Sequence, residues 1–191
     1  MRILIFSLFL FFSQPALPTS ITVVDKNEPS LVVQGENINI QLPKEASAAL
    51  KKWNSEFNVF DRKDFSPSVI QLFDEDKAQP MVFLGNLDGS GRTGIVLFGE
   101  DKKSQFVVAL IPQNSSWIVV EVHTTSMKKI KETEVPSLTG QPESGVPYYI
   151  LSAIGDHAKK LGKKTGIQVE TYLGSGEVFE IKDGKVLPVV L

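Results

Sequence analysis

The stretch Phe106-Val-Val-Ala-Leu-Ile-Pro-Gln-Asn-Ser-Ser-Trp117-Ile-Val-Val-Glu-Val-His123 decides the fold. It holds two apolar runs of strand length around a short polar connector, which is the signature of a β-hairpin. Phe106 to Ile111 is apolar at every position, as a central strand covered on both faces requires. Trp117 to Val122 alternates instead. Period two places Trp117, Val119, Glu121 and His123 on one face, and Ile118, Val120 and Val122 on the other. Upstream, Met81 to Leu84 and Ile95 to Phe98 repeat the pattern, so the middle of the chain reads as an antiparallel meander.

The C-terminal third adds Tyr148 to Ile154, Ile167 to Leu173, Val178 to Lys182 and Val186 to Leu191 as strands. Asp183-Gly184 joins the last two. Both residue types accept the positive φ of a type I′ turn, so this pair predicts a hairpin. Before the meander, Ile21 to Val24, Leu31 to Val33 and Asn37 to Gln41 also read as short strands, the last two separated by Gln34-Gly35-Glu36.

Helical spacing is confined to two segments. From Pro43 to Phe57, Ala46, Ala49, Leu50, Trp53 and Phe57 fall on one stripe with lysines opposite. Trp53 and Phe57 are therefore expected in the core. A second helix opens at Ser66, with Pro67 in its first position and Val69, Ile70 and Phe73 turned inward. The sum is an α+β domain, a mostly antiparallel sheet (meander plus C-terminal hairpin) covered by one or two N-terminal helices. Residues 124–147, rich in Ser, Thr, Pro, Gly and Glu, show no period and read as a long loop, a feature that is usually functional or mobile.

The N-terminus supplies an address. Arg2 precedes the apolar run Ile3 to Phe12, and Ser13, Pro15 and Pro18 end it. Ten residues make a helix of about 15 Å, half a bilayer core, so the run is a secretory signal and not a membrane span. Residues 1–20 are assigned to that leader and 21–191 to one domain that is exported to the periplasm or the exterior. No cysteine is present. Disulfides and lipid attachment of the bacterial lipoprotein kind are thereby excluded, and the mature chain must stand on its hydrophobic core.

Charge narrows the partners. Twenty basic residues face 22 acidic ones, a net charge of −2 that loses one further positive charge with Arg2. Only Arg62 and Arg92 remain as arginines, and no basic field exists for a phosphate backbone, so nucleic acid is excluded as a partner. The lysine groups 128, 129, 131 and 159, 160, 163, 164 read as solvated surface. So does the trio Asp74-Glu75-Asp76, whose adjacent carboxylates cannot take the separation that glycosidic chemistry needs. His123 and His157 lie in no catalytic or zinc motif and read as surface positions.

One loop could carry chemistry. In Asn86-Leu-Asp88-Gly-Ser90-Gly91-Arg92-Thr-Gly94, oxygen-bearing side chains occupy alternate positions, a glycine sits at the sixth, and the Arg92 carbonyl falls at the seventh. Hard cations require several oxygens at about 2.4 Å, and this spacing turns every second side chain toward one centre. Asn86, Asp88, Ser90 and, through its backbone carbonyl, Arg92 are thus the candidate metal ligands. The segment, with Val82-Phe-Leu-Gly85 before it and Ile95-Val-Leu-Phe98 after it, resembles the D-x-D-G-x-G-x-x-D loop of FG-GAP and VCBS proteins. That resemblance implies a calcium loop between two strands. The first Asp of the pattern is Asn86, the closing Asp is Gly94, and Arg92 adds positive charge, so any calcium site is weak. Backbone geometry alone would also account for the glycines and Asp88.

More broadly, the order of leader, amphipathic helix, Phe65-Ser-Pro67, single loop, meander and Asp-Gly hairpin is similar to a group of small exported bacterial proteins without an established activity. No catalytic residue and no certain cofactor emerge. The functional expectation is a non-catalytic module that binds an envelope protein or glycan, through a sheet face or the 124–147 loop. The alternative is an envelope hydrolase whose carboxylates, Asp88 among them, are assembled only by folding.

Overall fold

The computed structural model describes residues 19–75, 78–132, 149–154, 164–171 and 176–189. The strands are β1 (Ser20–Val24), β2 (Ser30–Gln34), β3 (Asn37–Pro43), β4 (Asn58–Val59), β5 (Val82–Gly85), β6 (Gly94–Glu100), β7 (Ser104–Gln113), β8 (Ser116–Ser126), β9 (Tyr149–Ile154), β10 (Gly166–Thr171), β11 (Gly176–Lys182) and β12 (Lys185–Val189). Helices are α1 (Lys44–Trp53), α2 (Pro67–Glu75) and α3 (Met127–Glu132). Among the described residues strand far outweighs helix, in three mostly antiparallel sheets.

The expectation of an α+β domain with helices covering a sheet is therefore wrong. The physical reason is size. A helix is about 10 Å across, and a sheet four strands wide spans about 15–20 Å. Helix α1 has ten residues and touches strands of two sheets, β1 and β3 on one side and β7 and β8 on the other. It fills a seam and covers neither sheet. Its polarity suits its ends, with Glu45 in the first turn and Lys51 and Lys52 in the last, each favourable against the helix dipole. The Ser66 hydroxyl accepts the Val69 N–H at 3.4 Å and caps α2, as read from the sequence.

The five-stranded sheet is the predicted meander, running β5, β6, β7 and β8, with β4 beside β6 at the end that β5 does not reach. Ile95, Val96, Leu97 and Phe98 of β6 and Val107 to Leu110 of β7 are all fully buried. Cover on both faces is thus confirmed for the stretch that carried the argument. Phe98 is enclosed by Phe60 and Phe65, with ring centroids at 4.8 and 6.3 Å. Trp53 and Phe57 pack on Phe106 at 5.2 and 6.4 Å, half-buried against the edge of the core, although α1 ends at Trp53 and Phe57 lies beyond it.

Strand β8 departs from strict alternation. Val107 pairs with His123 and Val108 with Glu121, so a β-bulge at Val122 puts Glu121 and His123 on opposite faces. An extra residue in one strand breaks the period, and no composition signal announces it. The strand also runs to Ser126 and continues into α3, so residues 124–132 are ordered structure where a loop was expected. Residues 133–147 and most of the leader, 1–18, lie outside the described residues.

In the C-terminal sheet, ordered β12-β11-β10-β9, Asp183 and Gly184 take φ of 52° and 71°, as the type I′ hairpin demands. The N-terminal sheet has β3 at its centre, parallel to β1 and antiparallel to β2. Its inner face contributes Ile38, Ile40 and Leu42 to the common core. Asn37, Asn39 and Gln41 face outward between the polar positions of β1 and β2.

Candidate functional site

The 86–94 loop closes the β5–β6 hairpin, where Gly85 pairs with Gly94. Its three predicted side-chain ligands are turned onto the loop's own backbone. Asn86 Oδ1 accepts the Gly91 N–H at 3.1 Å, Asp88 Oδ1 the Ser90 N–H at 2.9 Å, and Ser90 Oγ the Arg92 N–H at 3.3 Å. Gly89 and Gly91 take φ of 82° and 85°, a region that other residues adopt only under strain. Each of Asn86, Asp88 and Ser90 thus holds a different backbone N–H, and the result is a self-closed turn.

A second set of contacts fastens this turn to the C-terminal sheet. The Asn86 carbonyl accepts the Thr165 N–H at 2.8 Å, and the Lys164 stem lies where a Cβ on Gly89 would meet it at 3.2 Å. Lys164 is not the solvated lysine expected from its neighbours in sequence. Its side chain is 19% exposed, and its ammonium donates to Glu180 at 3.1 Å and to the Ile181 carbonyl at 3.2 Å. Lys159, Lys160, Lys163 and His157 lie outside the described residues. Asp74 of the acidic trio accepts two hydrogen bonds from Arg62, at 2.8 and 2.9 Å. His123 is half-buried and sits 3.3 Å from the Thr125 hydroxyl, not on an open surface.

Arg92 leads out of the loop. Its guanidinium donates to the carbonyls of Asn114, at 2.9 Å, and Pro112, bracing the two-residue β7–β8 turn in which Asn114 has φ of 51°. Asparagine tolerates that left-handed conformation better than most residues. Next to the turn opens a cleft of about 400 Å³, lined by Asn27, Glu28, Glu45, Arg92, Asn114 and Trp117 among others. The chain matches no family model, and no curated protein or solved structure is significantly similar to it.

The cleft walls come from four places in the chain. The β1–β2 connection brings Asn27 and Glu28, the first turn of α1 brings Glu45, the 86–94 loop brings Arg92, and the start of β8 brings Trp117. Glu28 is fixed by the Thr93 hydroxyl, which donates to its Oε2 at 3.1 Å. Glu45 has no hydrogen bond or ion pair among the described residues. Two carboxylates against one guanidinium leave the cleft with a single excess negative charge, and that guanidinium is already engaged with backbone carbonyls.

Chemically, the lining combines acceptors in Glu28 and Glu45, mixed donor and acceptor amides in Asn27 and Asn114, and the broad apolar ring of Trp117. That set can grip a ligand that is greasy on one side and rich in hydroxyls on its edges. Of the residues singled out in the sequence, Arg92, Trp117 and the connector residues Asn114 to Ser116 belong here. Glu28 and Glu45 gave no signal, because nothing local connects residues that only the three-dimensional fold makes neighbours.

Proposed function

We propose that the protein is an exported, non-catalytic module that binds a neutral glycan of the bacterial cell envelope in the cleft around Trp117. The reading rests above all on one observation, an unpaired Glu45 and a pinned Glu28 opening onto the same hollow as an indole ring. Sugar rings offer apolar C–H faces to an aromatic ring and hydroxyl donors to carboxylates, which is the complement of this lining. Export is supported by the Arg2-led run Ile3 to Phe12. Among the described residues no helix is long and apolar enough to cross a membrane.

A hydrolase is the second reading, favoured by the presence of two carboxylates in one cleft. A single titration separates the two. In a Trp53→Phe variant, the emission of Trp117 is followed during addition of a soluble N-acetylglucosamine hexamer, and the same samples are analysed for shorter fragments. The expected result is saturable change in emission with the oligomer intact. Fragment release transfers the cleft to hydrolysis, and unchanged emission throughout the titration removes Trp117 from any such site.

A further inference from the structure

We infer that the leader is removed by one cut between Ala16 and Leu17, so that this amide is a processing site and Leu17 the first residue of the mature protein. The inference rests on the export reading above, and it moves the boundary from residue 20, where composition placed it, to residue 16. What carries it is the use the fold makes of Thr19 and Ser20. Chain ends keep their order only where something ties them down. Both residues are tied. The Thr19 N–H donates to Asp61 Oδ1, 42 positions away in sequence. Ser20 opens β1, where it pairs with Asn39 and accepts the Asn39 amide on its hydroxyl at 3.1 Å.

Each contact holds an element in place. Asp61 opens the helical turn Arg62–Asp64, and its side chain is only 18% exposed. Strand β1 lies at the edge of its sheet and pairs with β3 alone, in parallel and over five residues. Parallel pairing is slightly weaker per residue than antiparallel, so a strand this short has little to spare. A cut after Ser20 takes away the first of those pairs and the Thr19 anchor together. A cut after Thr19 keeps the pair but removes that donor from Asp61.

Side-chain size decides the rest. Leaders are released next to a small residue. Leu17 and Pro18 do not qualify, and of the small residues beyond the apolar run Ala16 alone leaves both tied residues in the domain without placing a proline at the cut bond. Gln14 stands two places before it, so the small-residue requirement is met at the cut itself. In the cut, water adds across the Ala16–Leu17 amide as its C–N bond breaks. The water oxygen joins the Ala16 carbonyl carbon, leaving a carboxylate on the leader, and both protons go to the Leu17 nitrogen, leaving an ammonium on the domain. The Thr19 N–H stays an amide and keeps its bond to Asp61.

The test expresses the full chain, leader included, in a bacterial host and reads the intact mass and N-terminal sequence of the exported product. The expected product begins at Leu17. Ala16→Phe should raise the share of uncut chain at least tenfold, whereas Ser20→Phe, at an exposed position, should leave the product's first residue unchanged. A product that begins anywhere from Pro18 to Ile21, or an Ala16→Phe chain cut as well as wild type, overturns this cut and keeps export. An uncut chain retained inside the cell overturns the export reading and the cut together. Hydrogen exchange of the recovered product then reads the anchor itself. The Thr19 amide should exchange at least tenfold more slowly than in an unstructured chain, and exchange at the unstructured rate overturns the anchoring on which the placement rests.

Discussion

Strands β6 and β3 are both central in their sheets, yet they are built on opposite rules. Every residue of β6 from Ile95 to Phe98 is apolar and fully buried, whichever face it points to. Strand β3 buries Ile38, Ile40 and Leu42 on one side and carries Asn37, Asn39 and Gln41 on the other, where the shielded Oδ1 atoms of Asn37 and Asn39 have no donor among the described residues. The first pattern is what stability alone selects. The second keeps one polar, half-buried face, as a strand of a sheet with one face on the core and one toward water does. The difference separates a strand whose every side chain serves the core from one that serves it with alternate residues only.

The sharpest way to break this contrast is Phe98→Ala. Removing a ring enclosed by Phe60 and Phe65 is expected to cost about 3–5 kcal/mol in urea unfolding. A loss below about 1 kcal/mol would show that β6 is not the mechanical centre. Gly99→Ala should follow, at about 1–3 kcal/mol for overpacking, because its new Cβ would lie 2.0 Å from the Asn58 carbonyl oxygen and push β4 off β6.

Smaller effects sharpen the comparison. Asp88→Ala removes the acceptor for the Ser90 N–H and is expected to lower stability by about 0.5–1.5 kcal/mol. With the loop closed on itself, several millimolar calcium should leave the melting midpoint of the wild type in place; a clear rise would restore the metal reading by mass action. On β3 the outcome should be reversed in sign. Asn37→Val/Asn39→Val is expected to leave the midpoint unchanged or raise it slightly, since it removes acceptors that lack donors. A marked loss of stability would show that the hydrogen bonds of Asn39 to Ser20 and Thr22 help hold β1 on β3.

Acid should act through His123 at the bulge of β8. Burial pushes its pKa down from the ordinary imidazole value, Glu177 opposes this, and Lys129 adds to it. The unfolded chain therefore takes up the proton first. The stability contributed is complete above the ordinary imidazole pKa and falls as acid carries the protein through the lower folded value. His123→Gln should flatten that part of the stability profile, measured by unfolding at a series of pH values.

How much of this was legible depends on range. Period two exposed β5 to β8, and Asp183-Gly184 fixed its hairpin, because both signals are local. The parallel pairing of β1 with β3, the attachment of β4 to β6 and the division into three sheets join segments with no mark of each other, and so the helices were assigned a covering role they do not have. The candidate ligands Asn86, Asp88 and Ser90 share one tight loop, a local fact the spacing carries, but each puts its oxygen on a backbone N–H of that loop. The cleft was not legible. Its Glu28, Glu45, Arg92 and Trp117 come from four separate elements.

The central claim is that a neutral, hydroxyl-rich chain is bound and left intact. Calorimetric titration of the mature protein with the N-acetylglucosamine hexamer, from low to near-molar salt, tests it most directly, because binding without ligand charge is indifferent to screening. A saturable isotherm whose affinity does not change with salt is the expected result. A flat isotherm, or one abolished by salt, would contradict it.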